Sequence, residues 1–424
     1  MFNDAQAIGP ARPVLLFYCQ HSLGIGHLTR SFALSAALSE YFHVVFLNGG
    51  RAPPGLPVPA GIEIIDLPPL GMDDGHTVVS RDAKHDVAQA LARRRALIES
   101  AVHTFRPAML LVELFPFGRK KFANEILPMI RLVKRQVQRQ VRHQPGAPAQ
   151  VVCSLRDILV DARPDQQQHD DRARWLADRY FDAVLVHADP ALARLEDSFR
   201  PRQALRVPVH YTGYVVPARG ADATAPQAPQ AARGRHVLVS AGGGIVGAAL
   251  LRTALQARAL LREPGTPMRL IAGPFLPEPE WQALQGVASG LPGVELLRQV
   301  PDMVAEMRHA RASVSQCGYN TALDILVSGV PALVVPYATV TENEQRERAT
   351  RLAALGAMQH LDAAALGPSA LAEAIDALLG FAPSSVALGL DGAAHSAERL
   401  RQMHAQLHER ATSALARSTA CSPA

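Results

Sequence analysis

Cysteine is scarce: the 424 residues include only Cys19, Cys153, Cys317 and Cys421. No CxxC or Cys/His spacing occurs, so neither a zinc site nor a disulfide scaffold is expected, and a reducing compartment is the default. Aromatic residues make up 5% of the chain. Within the basic segment 119–142 Phe122 is the sole aromatic, too little interleaving to argue for nucleic acid as a partner. Charge of one sign is also lacking: 43 basic residues face 38 acidic ones, a formal surplus of +5. Such a surplus suits anionic small molecules or an anionic membrane surface. Residues 1–12 carry no basic segment followed by an apolar one, so no secretory signal is expected. The longest apolar stretch, 321–340, is broken by Asp324, Gly329, Pro331 and Pro336 and cannot be an uninterrupted membrane span. The expected protein is cytoplasmic, soluble or at most peripheral to the inner face of the membrane.

Hydrophobic residues, by contrast, reach 48% of the chain, and the length suits two domains of roughly 200 residues each. Short apolar runs alternate with amphipathic ones. In the first half the pattern predicts strands at 14–19, 43–47, 62–67, 108–112, 151–154 and 183–187. Helices are predicted at 28–39, 83–105, 119–143, 165–180 and 190–196, the third kinked or broken at Pro128. In the second half strands are expected at 237–240, 268–272, 312–315 and 332–335. The helices there are 246–262, 321–328, 344–355 and 369–379. Continuous Val/Ile/Leu strands between helices indicate a parallel sheet covered on both faces. The expected fold class is α/β, with two facing, doubly wound Rossmann-like domains and a cleft between them. The expected boundaries are 12–216, a Pro/Ala/Gln-rich linker at 217–235, a second domain at 236–392 and a terminal helix at 393–416. Ligands of open α/β sheets sit beyond the carboxyl ends of strands, so the turns after strands hold the candidate residues.

Two such turns are rich in glycine. Gln20 to His27 contains Gly24 and Gly26, with His21, His27 and Arg30 around them. Glycines allow close backbone approach, and the helix start behind them offers free N–H groups to an anion or polar substrate. The alternative is a tight turn with no ligand. The second turn, Ala241 to Gly247, satisfies G-x-G-x-x-G through Gly242, Gly244 and Gly247. The next strand ends in Ala272–Gly273–Pro274 without the acid that would hold a ribose, so NAD is not expected. Diphosphate binding near Gly243 and Gly244, or a packing turn alone, are the two readings left.

The segment from Ser315 through Gly318, Thr321 and Asp324 continues into Gly329–Val330–Pro331 and Val335–Pro336. It closes on Glu342, Glu344 and Gln345. Gly318 sits at a strand-to-helix turn, Thr321 in the first helical turn, and Asp324 one turn on, where a carboxylate can accept from vicinal hydroxyls. Glu342, Glu344 and Gln345 suit sugar hydroxyls for the same reason. This pattern over 312–357 resembles the nucleotide-sugar signature of GT-B glycosyltransferases, particularly the MurG-like, family 28 C-terminal domain. The Gly24–His27 turn resembles that superfamily's N-terminal glycine–histidine loop, and Tyr211–Thr212–Gly213–Tyr214 resembles the segment entering its linker. Within that group the chain resembles bacterial predicted glycosyltransferases with a G-I-G-H-L-T-R-S loop. Two departures from MurG stand out: Asp instead of Glu at position 324, and Gly24–Ile25–Gly26 in place of consecutive glycines.

The resemblance implies a glycosyltransferase using a UDP-hexose or UDP-N-acetylhexosamine, with inversion and without metal or cofactor. It places Asp324 on the ribose, Gly243 and Gly244 near the diphosphate, and Glu344 and Gln345 on the donor sugar. Transfer also needs a base, for which His27 is the first candidate and His21 the second. Glu113, at the end of its strand, is expected to lie at the same sheet edge and to orient or charge His27; its alternative is a helix cap. His21, Arg30, Arg119 and Arg156 are candidates for an acceptor or phosphate site, with Arg30 as a cationic contact one turn into its helix, against solvated cations and an Arg156–Asp157 structural pair. The basic segment 119–142, with Ile126, Leu127, Ile130, Leu132, Val133 and Val137 among its cations, could rest on an anionic membrane and reach a lipid-linked acceptor; an ordinary surface helix is the alternative. A glycan acceptor fits equally. A nucleotide-sugar 2-epimerase or hydrolase, or a non-catalytic nucleotide-sugar binder, are the rival functions.

Overall fold

A computed structural model describes residues 12–21, 25–53, 55–73, 77–141, 148–217, 234–339 and 342–420, and side chains of 136–141 and 414–420 are excluded. Most of the expected linker, together with Gly24, Thr341 and Cys421, thus lies outside the described residues.

The first half opens with β1 (Val14–Cys19), α1 (Gly26–Leu38), β2 (His43–Asn48) and β3 (Ile62–Asp66). A short antiparallel pair follows, β4 (Leu70–Met72) and β5 (Val78–Ser80), then α2 (Val87–Phe105) and β6 (Met109–Glu113). The series continues with α3 (Ala123–Val141), β7 (Gln150–Arg156), α4 (Gln166–Tyr180), β8 (Ala183–His187), α5 (Leu195–Ser198) and β9 (Val209–Tyr211). Seven strands form one sheet in the order β3-β2-β1-β6-β7-β8-β9, and every pair is parallel. β1 is buried along nearly its whole length, as a central strand with helices on both faces must be.

The second half contains β10 (Val237–Ser240), α6 (Ala248–Ala257), β11 (Met268–Ile271), α7 (Glu278–Ala288) and β12 (Val294–Leu297). It goes on with α8 (Met303–His309), β13 (Ala312–Ser315), α9 (Tyr319–Ser328), β14 (Ala332–Val334), α10 (Glu344–Ala354), β15 (Gln359–His360) and α11 (Pro368–Leu378). Its parallel sheet runs β12-β11-β10-β13-β14-β15. In both sheets the order reverses beside the first strand, between β1 and β6 and between β10 and β13. These are the places where diverging connections leave a crevice at the carboxyl edge.

The last helix, α12 (Gly392–Ala420), returns to the first half. Ala397, Leu400 and Met403 pack with Leu38 and Phe42 of the α1 region. The two crossings between halves are zipped together: Tyr214 N donates to Gly389 O at 2.7 Å and Gly392 N to Tyr214 O at 3.0 Å.

The structure corrects three expectations. α2 starts at Val87 because Asp86 and Gln89 form a reciprocal capping box. α3 runs through Pro128 without a break. Pro128 forfeits one backbone bond, yet Ile126, Met129, Ile130 and Val133 are buried at helical spacing and hold the helix against the core. The same burial removes Ile126, Ile130 and Val133 from any membrane-facing stripe, while Leu127 and Leu132 pack against the core partly buried. Val137 lies among the side chains that are not described. Finally, the predicted helix at 190–196 is only the single turn α5.

Candidate active site

β1 and β6 finish at one edge, with Tyr18 opposite Val112. The first turn of α1 therefore stands beside Glu113, the last residue of β6. His27 Nδ1 lies 2.6 Å from Glu113 Oε1. Arg30 Nη2 donates to the same oxygen at 2.6 Å, and Arg119 Nε is 3.8 Å from Oε2. Glu113 is fully buried. Burial alone would raise its pKa, but His27, the hydrogen bond from it, Arg119 and Arg30 together hold the carboxyl well below its ordinary range. An ionised Glu113 can only accept, so His27 carries its proton on Nδ1 and keeps a lone pair on Nε2. Burial pushes the imidazole down to about 4, with Glu113 opposing that shift. At neutral pH the pair is thus an uncharged ring, 16% exposed, backed by a buried carboxylate. Such a ring is ready to take a proton.

The second half meets this pair head-on. Asn320, in the first turn of α9, donates from Nδ2 to Gly26 O at 3.2 Å. Gln316 Nε2 reaches Val246 O at 3.2 Å, drawing the turn after β10 beside the turn after β13. Three turns that follow central strands thus converge: those at Gly26, at Gly242–Gly247 and at Gln316–Asn320. Among the described residues, neither α1 nor α9 has a side-chain cap on its first N–H groups. The positive ends of two helices face the same junction, which favours an anion there.

The glycines divide by what surrounds them. Gly318 has φ −64°, and a Cβ added there would meet nothing within 4 Å. Gly244 has φ +93°, and a Cβ would come within 2.6 Å of Ala272 O and 2.8 Å of Leu276 N. Gly243 O accepts from Phe275 N at 3.0 Å. Gly243 and Gly244 therefore pack the turn onto the 272–276 loop, whereas Gly318 borders open space.

α10 clamps the halves together. Arg348 Nε and Nη2 each donate to Asp157 at 2.7 Å, Nη2 also reaches Glu344 at 2.8 Å, and Nη1 bonds Cys317 O at 2.8 Å. Arg156 Nη1 binds Glu344 Oε1 at 3.1 Å. The alternative of an Arg156–Asp157 pair is not what forms: Arg156 bonds Glu344 and Asp157 bonds Arg348, two pairs across the halves. Burial would raise Glu344, but Arg156 and Arg348 bring it down to about 2. Asn343 donates to Asp161 at 2.6 Å, and Arg351 binds Asp197 at 2.6 Å. Gln345 Oε1 accepts from Cys317 N and Tyr337 N, both at 3.1 Å, tying together the ends of β13 and β14. Its carbonyl is occupied, which leaves the amide nitrogen for a ligand.

The remaining sequence candidates are placed as follows. Thr321 and Asp324 are half-buried, three residues apart on one face of α9. Glu342 exchanges backbone and hydroxyl bonds with Thr339 at the start of the α10 approach. His21 is 3% exposed and bonded to Asn48 Oδ1 at 3.0 Å. Burial lowers its pKa, and it packs against the Gly50 backbone instead of joining His27. Arg30 is 2% exposed and sits behind Glu113, so it is no surface anion contact. Tyr319, Asn320, Asp157 and Arg348 were not singled out as site residues by sequence reasoning. Their partners lie far away in the chain, and no local spacing signals such pairings.

Among the described residues, two surface cavities of about 430 and 320 Å³ lie elsewhere, beside β9 and α12 and between α2 and α3. Convergent polar groups, not cavity size, mark the site.

A sequence profile of the glycosyltransferase family 28 C-terminal domain matches residues 237–402. The UDP-N-acetylglucosamine–N-acetylmuramyl-(pentapeptide) pyrophosphoryl-undecaprenol N-acetylglucosamine transferase of Thiobacillus denitrificans is 30% identical over 357 residues, 82% of this chain and 86% of that protein. The chain belongs to glycosyltransferase family 28. The like-named protein of Methylibium petroleiphilum is 30% identical over 230 residues, covering 50% of the family 28 chain but only 62% of that relative. Among solved structures, the calicheamicin glycosyltransferase superposes with a TM-score of 0.52 at 17% identity, over 97% of this chain and 100% of that one. Acinetobacter baumannii MurG superposes at 0.50 and 14% identity, over 94% of each chain. The fold of this family 28 chain is GT-B.

Proposed function

We propose that this protein moves a hexose or N-acetylhexosamine from a UDP-sugar to an acceptor hydroxyl, with inversion. The supporting observation is the His27–Glu113 pair, set where the first turns of α1 and α9 meet through Asn320. In this reading 12–216 is the acceptor domain, 217–235 the linker, 236–392 the donor domain, and 393–416 the returning helix. The diphosphate lies over the amides near Gly318 and Thr321, beside Gly26 and the turn of Gly243 and Gly244. Asp324 takes the ribose hydroxyls. Glu342, Glu344 and Gln345 line the sugar, with Glu344 exchanging its bond to Arg156 for a sugar hydroxyl. His27 Nε2 removes the acceptor proton, Glu113 stabilises the imidazolium, and the helix starts stabilise the leaving diphosphate. Arg119 and Arg156 flank the acceptor side and suit a phosphate-bearing molecule.

The relatives' names specify a pyrophosphoryl-undecaprenol acceptor, and a lipid-linked acceptor is accordingly the class proposed here, reached from the cytoplasmic face. Among the described residues no helix is long and apolar enough to cross a membrane. Contact with a membrane would be electrostatic, through exposed cations of α3 such as Arg135, because the helix's apolar side is turned inward.

A thermal-shift panel of UDP-, GDP- and dTDP-sugars tests the donor. One UDP-sugar should stabilise selectively, by roughly 2.7 kcal/mol at a hundredfold excess over Kd. Equal, negligible shifts for all three nucleotides would overturn the assignment. UDP released only when acceptor is added separates a transferase from an epimerase or hydrolase.

The glycines supply a second check. Gly318→Ala should leave folding within about 1 kcal/mol yet weaken UDP binding, because its methyl group enters the space assigned to phosphate. Gly244→Ala should instead destabilise the fold by roughly 1–3 kcal/mol or more, through strain and overlap with backbone. Melting curves and UDP titration of the two variants measure both; the reverse pattern would contradict the placement.

A further inference from the structure

We propose that Arg30 is a positioning residue through which docking of the two halves sets the state of the His27–Glu113 pair. This rests on that pair being the proton-accepting machinery. Arg30 shares Glu113 Oε1 with His27, each at 2.6 Å. A single oxygen thus receives two donors, and the carboxylate divides its charge between a fixed cation and a ring that must become one during transfer.

The other face of Arg30 is covered by a residue of the opposite half. Its guanidinium carbon lies 5.3 Å from the ring centre of Tyr319, the first residue of α9. Arg348 approaches that ring at 5.9 Å. The Tyr319 hydroxyl donates to His187 O at 3.0 Å and accepts from Val215 N at 2.9 Å, so the ring is pinned into the first half and its crossing segment. Cation–π attraction is strongest where water is excluded, and both Arg30 and Tyr319 are nearly fully buried. Separation of the halves would withdraw the ring, admit water to Arg30 and loosen its hold on Glu113. Docking restores a rigid carboxylate with Oε1 aimed at His27.

The groups facing His27 are Glu113 from β6, Arg119 from the loop after it, Arg30 on its own helix, and Glu344 of α10, whose carboxylate senses the imidazole. Of these, Arg119 and, to a lesser degree, Arg30 oppose protonation of the ring, and Arg30 alone shares the carboxylate oxygen that His27 bonds. Removing its charge makes the imidazolium easier to form, so His27 should titrate at higher pH.

The test is an NMR titration of the His27 Cε1–H in full-length protein labelled at histidine and assigned with His27→Ala. Alongside it, UDP release from UDP-N-acetylglucosamine in the presence of a pyrophosphoryl-undecaprenol-linked acceptor is followed as a function of pH. Arg30→Met should move the His27 titration and the acid limb of kcat/KM upward by about one pH unit. It should also lower kcat at least tenfold with UDP affinity unchanged, and Arg30→Lys should recover part of both. Tyr319→Leu should shift the titration in the same direction, while Tyr319→Phe, which keeps the ring, should not. A wild-type titration in both Arg30→Met and Tyr319→Leu overturns the proposal; if Arg30→Met does not fold, Tyr319→Leu decides alone. Full turnover in His27→Ala would instead defeat the base assignment itself, a separate failure.

Discussion

His27→Ala is expected to lower turnover by about 10²–10⁴-fold, the usual worth of a positioned base. UDP affinity should stay within about twofold, because the lost group acts on the acceptor proton and not on bound nucleotide. Glu113→Gln should be nearly as damaging. Its amide can donate to Nδ1, which would place the imidazole proton on Nε2 and block the very atom that must accept. The pH dependence of stability provides an activity-free control. Folded His27 titrates at about 4, and unfolded histidine near 6.5. Between those values the unfolded chain binds a proton that the folded chain refuses, so stability falls as the pH drops from about 6.5 to about 4. The slope is roughly 1.4 kcal/mol per pH unit for one such group. Fully buried His187, lowered to about 3 by burial and Arg30, adds a loss of the same sign. His27→Ala should therefore flatten the acid slope of a urea-denaturation series by about one proton; an unchanged slope would mean the ring is not held neutral.

Arg348→Ala carries the largest expected effect on stability. Arg348 and Asp157 are both essentially inaccessible and joined by two bonds of 2.7 Å. Removing one partner leaves a buried carboxylate without its counter-charge, a loss of about 3–5 kcal/mol. Arg348→Met combined with Asp157→Asn should recover much of it, since no net charge then remains unmatched. The damage should concentrate between the halves, because the other bonds of the α10 segment, from Asn343 to Asp161 and from Arg351 to Asp197, also run to the first half. Limited proteolysis of the variant should cut the crossings near 213–217 and 389–392 before either sheet opens. A loss under 1 kcal/mol, or cleavage beginning inside a sheet, would show that the halves are held by something else.

These two experiments bear on very different levels of legibility. The parallel sheets could be read from runs such as Val14–Cys19 and Ala183–His187, because a strand covered on both faces must be apolar throughout. The meeting of His27 and Glu113 was also within reach, since it needs only adjacent parallel strands ending at one edge. Short elements escaped: β9 and β15 have three and two residues, too few to show a period. α7 and α8 fell in a stretch whose helical spacing went unread. Pairings across the halves were inaccessible for a deeper reason. Arg156 stands next to Asp157 in the chain but bonds Glu344, 188 residues away. Nothing in either local pattern distinguishes an internal ion pair from one made between domains. Arg30 misled in the same way: a cation one turn into a helix after a glycine turn looks like an anion contact, until a buried carboxylate is found at its end.

The most direct measurement is an experimental structure of the full-length protein with UDP bound. The account predicts the diphosphate over the first turn of α9 at Gly318, the ribose hydroxyls on Asp324, and His27 Nε2 open toward the sugar side of the β-phosphate. Nucleotide bound only in the first half, or with its phosphates remote from Gly318 and His27, would contradict it.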